Sequence, residues 1–98
     1  MAITRKDIFS FQFFDYGERF SGSYRGMRYR LGREPLEKVV QKPLEEKEKG
    51  SIRACTWSEP YSFDNTPEED KHYMDFPYSE EGVEKAVEWL NEEWNARH

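Results

Sequence analysis

Two stretches of the chain alternate between apolar and polar residues with the two-residue period of a β-strand. In "MRYRL", which begins at Met27, the apolar side chains fall on one side and those of Arg28 and Arg30 on the other. In "SIRACTW" the same alternation puts Arg53 and Trp57 on one side, opposite the isoleucine and the alanine. Alternation of this kind is typical of a strand with one buried and one exposed face. The sequence therefore predicts two half-buried strands.

Shorter patterns predict the other strands and turns. The aromatic run "FSFQFF", Phe9 to Phe14, favours a first strand, because aromatic residues are frequent in strands. The glycines of "FSGSYRG" favour a hairpin connection or a bulged strand, since glycine readily adopts a positive φ. "HYMDFPY" indicates a short extended piece, "TPEED" a single helical turn and "EEKEKGS" a solvated charged loop. Between Pro35 and Pro43, "LEKVVQK" fits either a short strand or one helical turn, and both stay open.

The strongest local pattern lies at the C-terminal end of the sequence. Ser79 is a favourable N-cap residue, and Glu80 and Glu81 suit the positive end of a helix dipole. Apolar residues then recur at helical spacing on one face: Val83, Ala86, Val87, Leu90 and Trp94. This stripe must be buried against another element. We therefore expect an α+β fold, an antiparallel sheet of three to five strands backed by one C-terminal amphipathic helix.

Length and composition limit the organisation of the chain. Its 98 residues suffice for one modest core, so we expect a single α+β domain over 1–98, with strands mainly within 8–63 and the helix over about 79–96. Aromatic residues make up 16% of the chain and supply much of its apolar area. A single cysteine, Cys55, excludes an intrachain disulfide. There is no signal-peptide pattern and no run of about 18 apolar residues, so we expect a cytoplasmic protein without a membrane span.

Charge is distributed unevenly along the sequence. Residues 1–55 contain 12 Lys/Arg and 8 Asp/Glu, a net +4, whereas residues 56–98 contain 3 and 12, a net −9. Such asymmetry is typical of a basic binding face beside an acidic remainder, or of two halves that neutralise each other after folding. Both interpretations stay open at this point.

No residue pattern indicates catalysis or a bound cofactor. A structural zinc site needs about four closely spaced ligands, which the sequence does not offer. Cys55 and His72 could form a nucleophile and base, but Cys55 lies within a strand pattern, where a packed and inert thiol is commoner. "DNTPEED" lacks the ligand spacing of a calcium loop, and no glycine-rich phosphate loop precedes a helix. We expect a protein that is not an enzyme and has no catalytic residues, metal or cofactor.

The arginines and aromatic residues favour one binding hypothesis. If the helix covers one face of the sheet, then Arg28, Arg30, Arg53 and Trp57 share the opposite face. Guanidinium groups beside flat rings are typical of proteins that bind single-stranded DNA or RNA without reading its sequence. Two rings near the strand ends, those of Tyr24 and Tyr61, are further candidates for base stacking.

Two alternatives stand beside this hypothesis. Arg28 and Arg30 could be ordinary strand residues paired with acids such as Glu37 or Glu59, and Trp57 could be buried. The acidic half of the chain could instead bind a basic protein partner, as an interaction or inhibitor module that mimics nucleic acid. That function would use the glutamates on the polar face of the predicted helix: Glu84, Glu88 and Glu92.

Three segments, "GMRYRLGREPLEK", "SIRACTWSEPYSF" and "FPYSEEGVEKAVEWLNEEW", resemble a family of small uncharacterised proteins of gut bacteria. Genes for such proteins are often found on conjugative mobile elements. The resemblance covers most of the chain and implies no established activity. Some of these proteins carry an acetyltransferase label, but that fold is considerably longer and its acyl-CoA pyrophosphate loop is missing from this sequence. We therefore do not expect acetyltransferase activity.

The order of "IRACTWSEP" and "FPYSEEGVEKAVEWL" also resembles bacterial single-stranded-DNA-binding proteins of the transcriptional positive cofactor four family. In that family a strand with a similar Ile-Arg and Trp-Ser pattern precedes a helix capped by Ser-Glu-Glu, and two subunits pair through their helices. The resemblance implies single-stranded DNA binding and a homodimer. This chain differs by the insertion of Ala54 and Cys55 and by the long segment "SFDNTPEEDKHYM".

Overall fold

A four-stranded antiparallel sheet with strands in the order β1-β2-β3-β4 forms the framework of the computed structural model, which describes residues 3–59 and 61–97. The strands are β1 (Phe20–Tyr24), β2 (Met27–Glu34), β3 (Ser51–Ser58) and β4 (His72–Pro77). The helices are α1 (Gln12–Asp15), α2 (Leu44–Lys47) and α3 (Glu80–Arg97), and two 3-10 turns span Arg5–Asp7 and Glu68–Asp70. The predicted α+β fold, with an antiparallel sheet backed by a C-terminal helix, is confirmed.

A two-residue turn joins β1 to β2. Arg25 and Gly26 occupy the turn with φ angles of 43° and 91°, both positive, as the tightest hairpin turns require. The turn fixes the register from Tyr24 opposite Met27 to Phe20 opposite Leu31. A hairpin in this region agrees with the glycine pattern of the sequence.

The start of α3 follows the predicted capping pattern. The Ser79 hydroxyl accepts a hydrogen bond of 3.0 Å from the Gly82 backbone N–H, which satisfies one of the free donors of the first helical turn. Gly82 lies so close to the preceding strand that an added Cβ would fall 1.8 Å from the carbonyl oxygen of Pro77. The helix can therefore approach the end of β4 only because this position is glycine.

The core lies on one face of the sheet. Helix α3 packs on β3 and β4, α1 packs on β2, and the first 3-10 turn contacts α3. Apolar side chains meet there from the strands (Met27, Leu31, Ile52, Ala54), from α3 (Val83, Ala86, Leu90) and from the N-terminal segment (Ile3, Ile8, Phe14). Most of the predicted helix stripe is buried, and Trp94 is half-buried against the same cluster. The side chains of Arg28, Arg30 and Arg53 lie on the opposite face of the sheet.

The strand predicted over Phe9 to Phe14 is wrong. Gln12–Asp15 forms the helical turn α1, in which Phe14 is fully buried, while Phe9 is 56% exposed. Phe11 and Phe14 are three residues apart and both pack toward the core, a spacing that one helical turn satisfies and a strand does not. Aromatic content alone therefore indicated the wrong element.

The segment from Pro35 to Pro43, left open between strand and helix, forms neither. It runs as turns and irregular backbone to α2, and α2 occupies the first part of the stretch predicted as a charged loop. Arg33 ties the start of this segment to the end of α2. It is only 2% exposed and donates hydrogen bonds to the carbonyl oxygens of Pro35 at 2.8 Å and Lys47 at 3.1 Å. The parity of Arg33 puts it on the core face, where these carbonyls accept its hydrogen bonds.

Candidate functional site

Three predicted site arginines lie on the face of the sheet opposite α3. The register sets the cross-strand pairs of this face as Arg28 with Trp57, Arg30 with Cys55 and Gly32 with Arg53. Because neighbours across a sheet point to the same side, all of these side chains leave the sheet away from the core. We call this surface the arginine face. The strand alternation predicts this arrangement from sequence alone.

The segment between β3 and β4, residues 59–71, covers one end of the arginine face, and the structure describes all of it except residue 60. We call it the covering loop. The Trp57 indole N–H donates a hydrogen bond of 2.8 Å to the Tyr61 carbonyl oxygen, and the Phe63 ring meets the indole edge-on at 5.4 Å. Trp57 is only 3% exposed. It shares the predicted face, but its buried ring has no surface on which a base could stack.

Two of the arginines already have carboxylate partners. Arg53 makes ion pairs with Asp75 at 2.8 Å and with Glu34 at 3.5 Å. The hydrogen bond from Arg53 lowers the pKa of the Asp75 carboxyl. Arg28 lies 3.9 Å from Glu59, the pairing expected if it is an ordinary strand residue. These contacts neutralise much of the charge predicted for the arginine face.

Arg30 and Arg19 differ from the other arginines of this face. Among the residues that the structure describes, neither has a carboxylate within 4 Å, since the arginine ion pairs there involve other arginines. Arg19 lies just before β1, and its side-chain stem crosses Gly32, where an added Cβ would fall 2.9 Å from the Arg19 Cγ. Burial lowers the pKa of Arg30 most, and repulsion from Arg19 lowers it further. The Asp64 carboxylate raises the pKa of Arg30. Arginine stays protonated under such shifts, so both side chains bring a positive charge to this face.

These two arginines line a concave site on the arginine face. It has a volume of about 290 Å³, and we call it the arginine cavity. Its lining includes Arg19, Arg30, Arg53, Phe63, Asp64 and Tyr73. The Arg30 guanidinium carbon lies 3.8 Å from the centre of the Phe63 ring, so the cation stacks on an aromatic face at the wall of the cavity. Such a site can hold one anionic group beside flat rings.

Cys55 lies in the lining of the same cavity but does not offer a reactive thiolate. Burial raises the pKa of its thiol to about 11. His72 cannot act as its base, because His72 pairs with Thr56 in the register and therefore points to the opposite face, where it contacts Glu93 at 2.6 Å. Within the described part of the chain no group of His, Cys, Asp and Glu side chains is suited to hold a metal ion.

The predicted stacking tyrosines lie apart from the cavity. Tyr24 packs edge-on against Trp94 at 5.3 Å on the side of α3, so it does not belong to the arginine face. Tyr61 is 60% exposed on the covering loop. The ring that does line the cavity is Tyr73, which is 41% exposed and opposite Cys55 in the register.

Sequence reasoning missed most residues of the cavity lining, among them Arg19, Tyr73, Phe63 and Asp64. For Arg19 a signal existed: a two-residue turn at Arg25 and Gly26 fixes the hairpin register, which places Arg19 level with Gly32 on the arginine face. Tyr73 could likewise be placed from the alternation of "HYMDFP" once β4 is paired with β3. Phe63 and Asp64 lie on an irregular loop, and no periodic pattern indicates where such a loop folds.

The outer side of α3 carries a row of acids, which we call the acidic ridge: Glu84, Glu88 and Glu92. All three side chains are exposed on successive turns. Within the described ranges 3–59 and 61–97 none of them makes an ion pair, and Lys85, the one cation in this part of the helix, pairs with Glu81 at 3.5 Å. Like charges four residues apart weaken a helix slightly, so this row does not serve helix stability.

Comparison with known proteins assigns no family to the chain. No protein-family model, no curated protein and no solved structure matches it. None of the helices in the described residues combines the length and apolarity needed to cross a bilayer. A functional proposal for this protein therefore rests on the geometry of the arginine face.

Proposed function

We propose that the protein is a non-enzymatic binder of single-stranded DNA or RNA that holds a phosphate group between Arg19 and Arg30. One observation carries the proposal: two guanidinium groups without carboxylate partners among the described residues line the same cavity. Adjacent like charges destabilise each other, and a bound anion removes that repulsion. Arginine is also the side chain whose fork of donors best fits phosphate oxygens.

The rings around the cavity favour nucleic acid over a simple anion. Tyr73 lies in the lining with 41% of its surface exposed, and Tyr61 on the covering loop is 60% exposed. The Phe63 ring is already stacked between two cations, so these two tyrosines are the rings available to a base. A flat ring next to a phosphate site stacks a base at about 1–3 kcal/mol without selecting its identity. The resemblance of the β3 segment and the start of α3 to single-stranded-DNA-binding proteins points to the same class of ligand.

The proposed site is smaller than the surface predicted from sequence. Arg28 and Arg53 are engaged with Glu59 and with Asp75, so they contribute less charge than Arg19 and Arg30. Trp57 is buried beneath the covering loop. We therefore place the ligand at the arginine cavity rather than along the whole arginine face.

Fluorescence anisotropy with a labelled single-stranded oligonucleotide at low salt tests this function. Replacing Arg19 and Arg30 by alanine together is expected to weaken binding by about tenfold or more, because charged hydrogen bonds to phosphate contribute about 1.5–3 kcal/mol each. The matched control replaces Arg25 and Arg28, which lie outside the cavity lining, by alanine. It changes the net charge equally and is expected to weaken binding by less than about threefold. Absence of binding to the wild-type protein, or equal losses in both double variants, would overturn the proposal.

A second candidate function rests on the acidic ridge. Three exposed carboxylates in a row, without ion pairs in the described residues, fit a basic protein partner through charge complementarity. Reversing Glu84, Glu88 and Glu92 to Lys is expected to abolish binding of a Lys/Arg-rich peptide. A control with three exposed acids elsewhere reversed, Glu45, Glu48 and Glu69, should retain it. Equal behaviour of the two triple variants would reject a specific role for the ridge.

A homodimer paired through α3, which the family resemblance implies, stays a prediction. The apolar stripe of α3 is buried against the sheet, so the surface left for a second copy is the acidic ridge. Two ridges facing each other would repel at low salt. We therefore expect dimerisation through α3 only at high ionic strength, which sedimentation at two salt concentrations would reveal.

A further inference from the structure

The arginine cavity is walled at both ends along the strand direction. At one end is the covering loop, in which Phe63 is stacked between Arg30 at 3.8 Å and Lys71 at 3.6 Å. At the other end Arg53 is held by two carboxylates, those of Asp75 and Glu34. A polynucleotide running along the strands would meet a folded loop in one direction and carboxylates in the other.

In the direction across the strands, toward β1, the side chains beside Arg30 are small. Ser21 of β1 pairs with Arg30 in the register, and Ser21 and Ser23 are both exposed on this edge strand. Their small side chains put no large group between Arg30 and the β1 edge of the sheet. In the other direction Tyr73 of β4 lies opposite Cys55 and donates a hydrogen bond of 2.9 Å to Glu68 of the covering loop, so a large ring lies between the cavity and the β4 edge. A phosphodiester within a polynucleotide has a nucleotide on each side, and both nucleotides must leave the cavity. A terminal phosphate has a nucleotide on one side only, so one exit is enough.

The charge of the cavity also distinguishes the two kinds of phosphate. A terminal phosphate monoester carries about −1.5 to −2 charges at neutral pH, whereas an internal phosphodiester carries about −1. The lining contains two carboxylates, Glu34 and Asp64. Glu34 pairs with Arg53 at 3.5 Å, so Asp64 is the carboxylate that offsets the two positive charges of Arg19 and Arg30. The positive charge that remains attracts a dianion more strongly than a monoanion, so it favours a terminal phosphate over a diester.

We propose that the arginine cavity receives the terminal phosphate of a single strand, and that the adjoining nucleotide leaves over Ser21 at the β1 edge. This inference rests on the proposed function and narrows its ligand to strands that end in a phosphate monoester. The volume of about 290 Å³ is at the small end of the range for ligand sites, which fits a phosphate and part of one nucleotide.

The test compares three labelled oligonucleotides of one sequence: end-phosphorylated, hydroxyl-ended and circular. The phosphorylated strand is expected to bind about tenfold tighter than the other two, and the advantage should vanish when Arg19 and Arg30 are both replaced by alanine. The same advantage should shrink as the pH falls below about 6, where the terminal phosphate takes up its second proton. Replacing both Arg25 and Arg28, which lie outside the cavity lining, by alanine serves as the control and should retain the advantage.

Three results would count against the inference, and they separate it from the proposed function. If phosphorylated and hydroxyl-ended strands bind equally well, terminal recognition is wrong while nucleic-acid binding stands. The same holds if the circular strand binds as tightly as the phosphorylated one. If none of the three oligonucleotides binds, the proposed function itself fails, and the inference fails with it.

Discussion

The guanidinium carbon of Arg30 lies 3.8 Å from the centre of the Phe63 ring, and Lys71 Nζ lies 3.6 Å from the same centre. One aromatic ring therefore binds a cation of β2 and a cation next to β4. Phe63 also contacts the buried Trp57 edge-on. This single residue fastens the covering loop to the sheet and forms one wall of the arginine cavity.

Phe63→Leu should destabilise the fold although it keeps most of the apolar volume. Two cation–π contacts of about 0.5–1 kcal/mol each are lost, so the free energy of unfolding is expected to fall by about 1–2 kcal/mol. Urea unfolding measures the change. Tyr61→Leu, on the same loop but with a largely exposed ring, is the control and should stay within about 0.5 kcal/mol of wild type. Equal effects of the two substitutions would contradict the role assigned to Phe63.

Gly82→Ala should destabilise the protein, opposite in sign to the usual effect of this change in a helix. Helix propensity alone favours alanine by about 1 kcal/mol. Here the added Cβ would fall 1.8 Å from the Pro77 carbonyl oxygen, so α3 must shift away from β4. Overpacking of this kind costs about 1–3 kcal/mol. Urea unfolding that shows a more stable Gly82→Ala protein would refute this account, and Glu81→Ala on the exposed side controls for the helix itself.

Much of this architecture could be predicted from the sequence. Strands β2 and β3 and helix α3 were predictable because each has one buried face, which imposes a period on the chain. The same periods put Arg28, Arg30 and Arg53 on one side of the sheet. Periodicity reports which face a residue occupies and carries no information about what covers that face.

The features that the sequence does not predict have the same physical origin. Trp57 was placed on the correct face, but its burial depends on the covering loop, which folds back through contacts of Phe63 and Tyr61 that follow no period. Arg33 has the parity of the core and is stabilised there by carbonyl oxygens of α2 and Pro35, partners that only the tertiary fold brings near. The hairpin register places Arg19 at the cavity, and no local sequence pattern indicates this position.

Alkaline pH should destabilise the protein partly through Cys55. Burial raises the pKa of this thiol from 9.0 to about 11, so between these values the unfolded chain loses the proton while the folded chain retains it. The unfolded state then binds fewer protons, and the free energy of unfolding falls as the pH rises. Tyr73 and Tyr78, whose pKa values burial also raises, act in the same direction.

Comparison with Cys55→Ala isolates the thiol. Urea unfolding at several pH values between 9 and 11 should show a shallower decline in the variant than in the wild type. The absolute stabilities do not enter the comparison, because the substitution also removes packing. Identical pH dependence of the two proteins would show that the thiol is not held in its protonated form.

Asp64→Asn should strengthen binding of a phosphorylated single strand. Asp64 is the carboxylate of the cavity lining that acts on Arg30, and it repels an incoming phosphate. Removing a partly exposed charge of this kind is expected to contribute about 0.5–1 kcal/mol, or about a two- to fivefold gain in affinity. Asp70→Asn, on the same loop but outside the cavity, controls for net charge. An equal gain in both variants would mean that only the overall charge matters.

The salt dependence of binding tests most directly that the anion sits between Arg19 and Arg30. For single strands the slope of log affinity against log salt is about −0.7 per neutralised phosphate. The wild type is expected to show a shallow slope of about −0.7 to −1.5, because the protein binds the terminal phosphate of the nucleic acid and not a long row of phosphates. Replacing Arg19 and Arg30 by alanine should bring the slope close to zero, while replacing Arg25 and Arg28 should leave it unchanged. A slope that disappears when Arg25 and Arg28 are replaced, and persists when Arg19 and Arg30 are replaced, would contradict the assigned site.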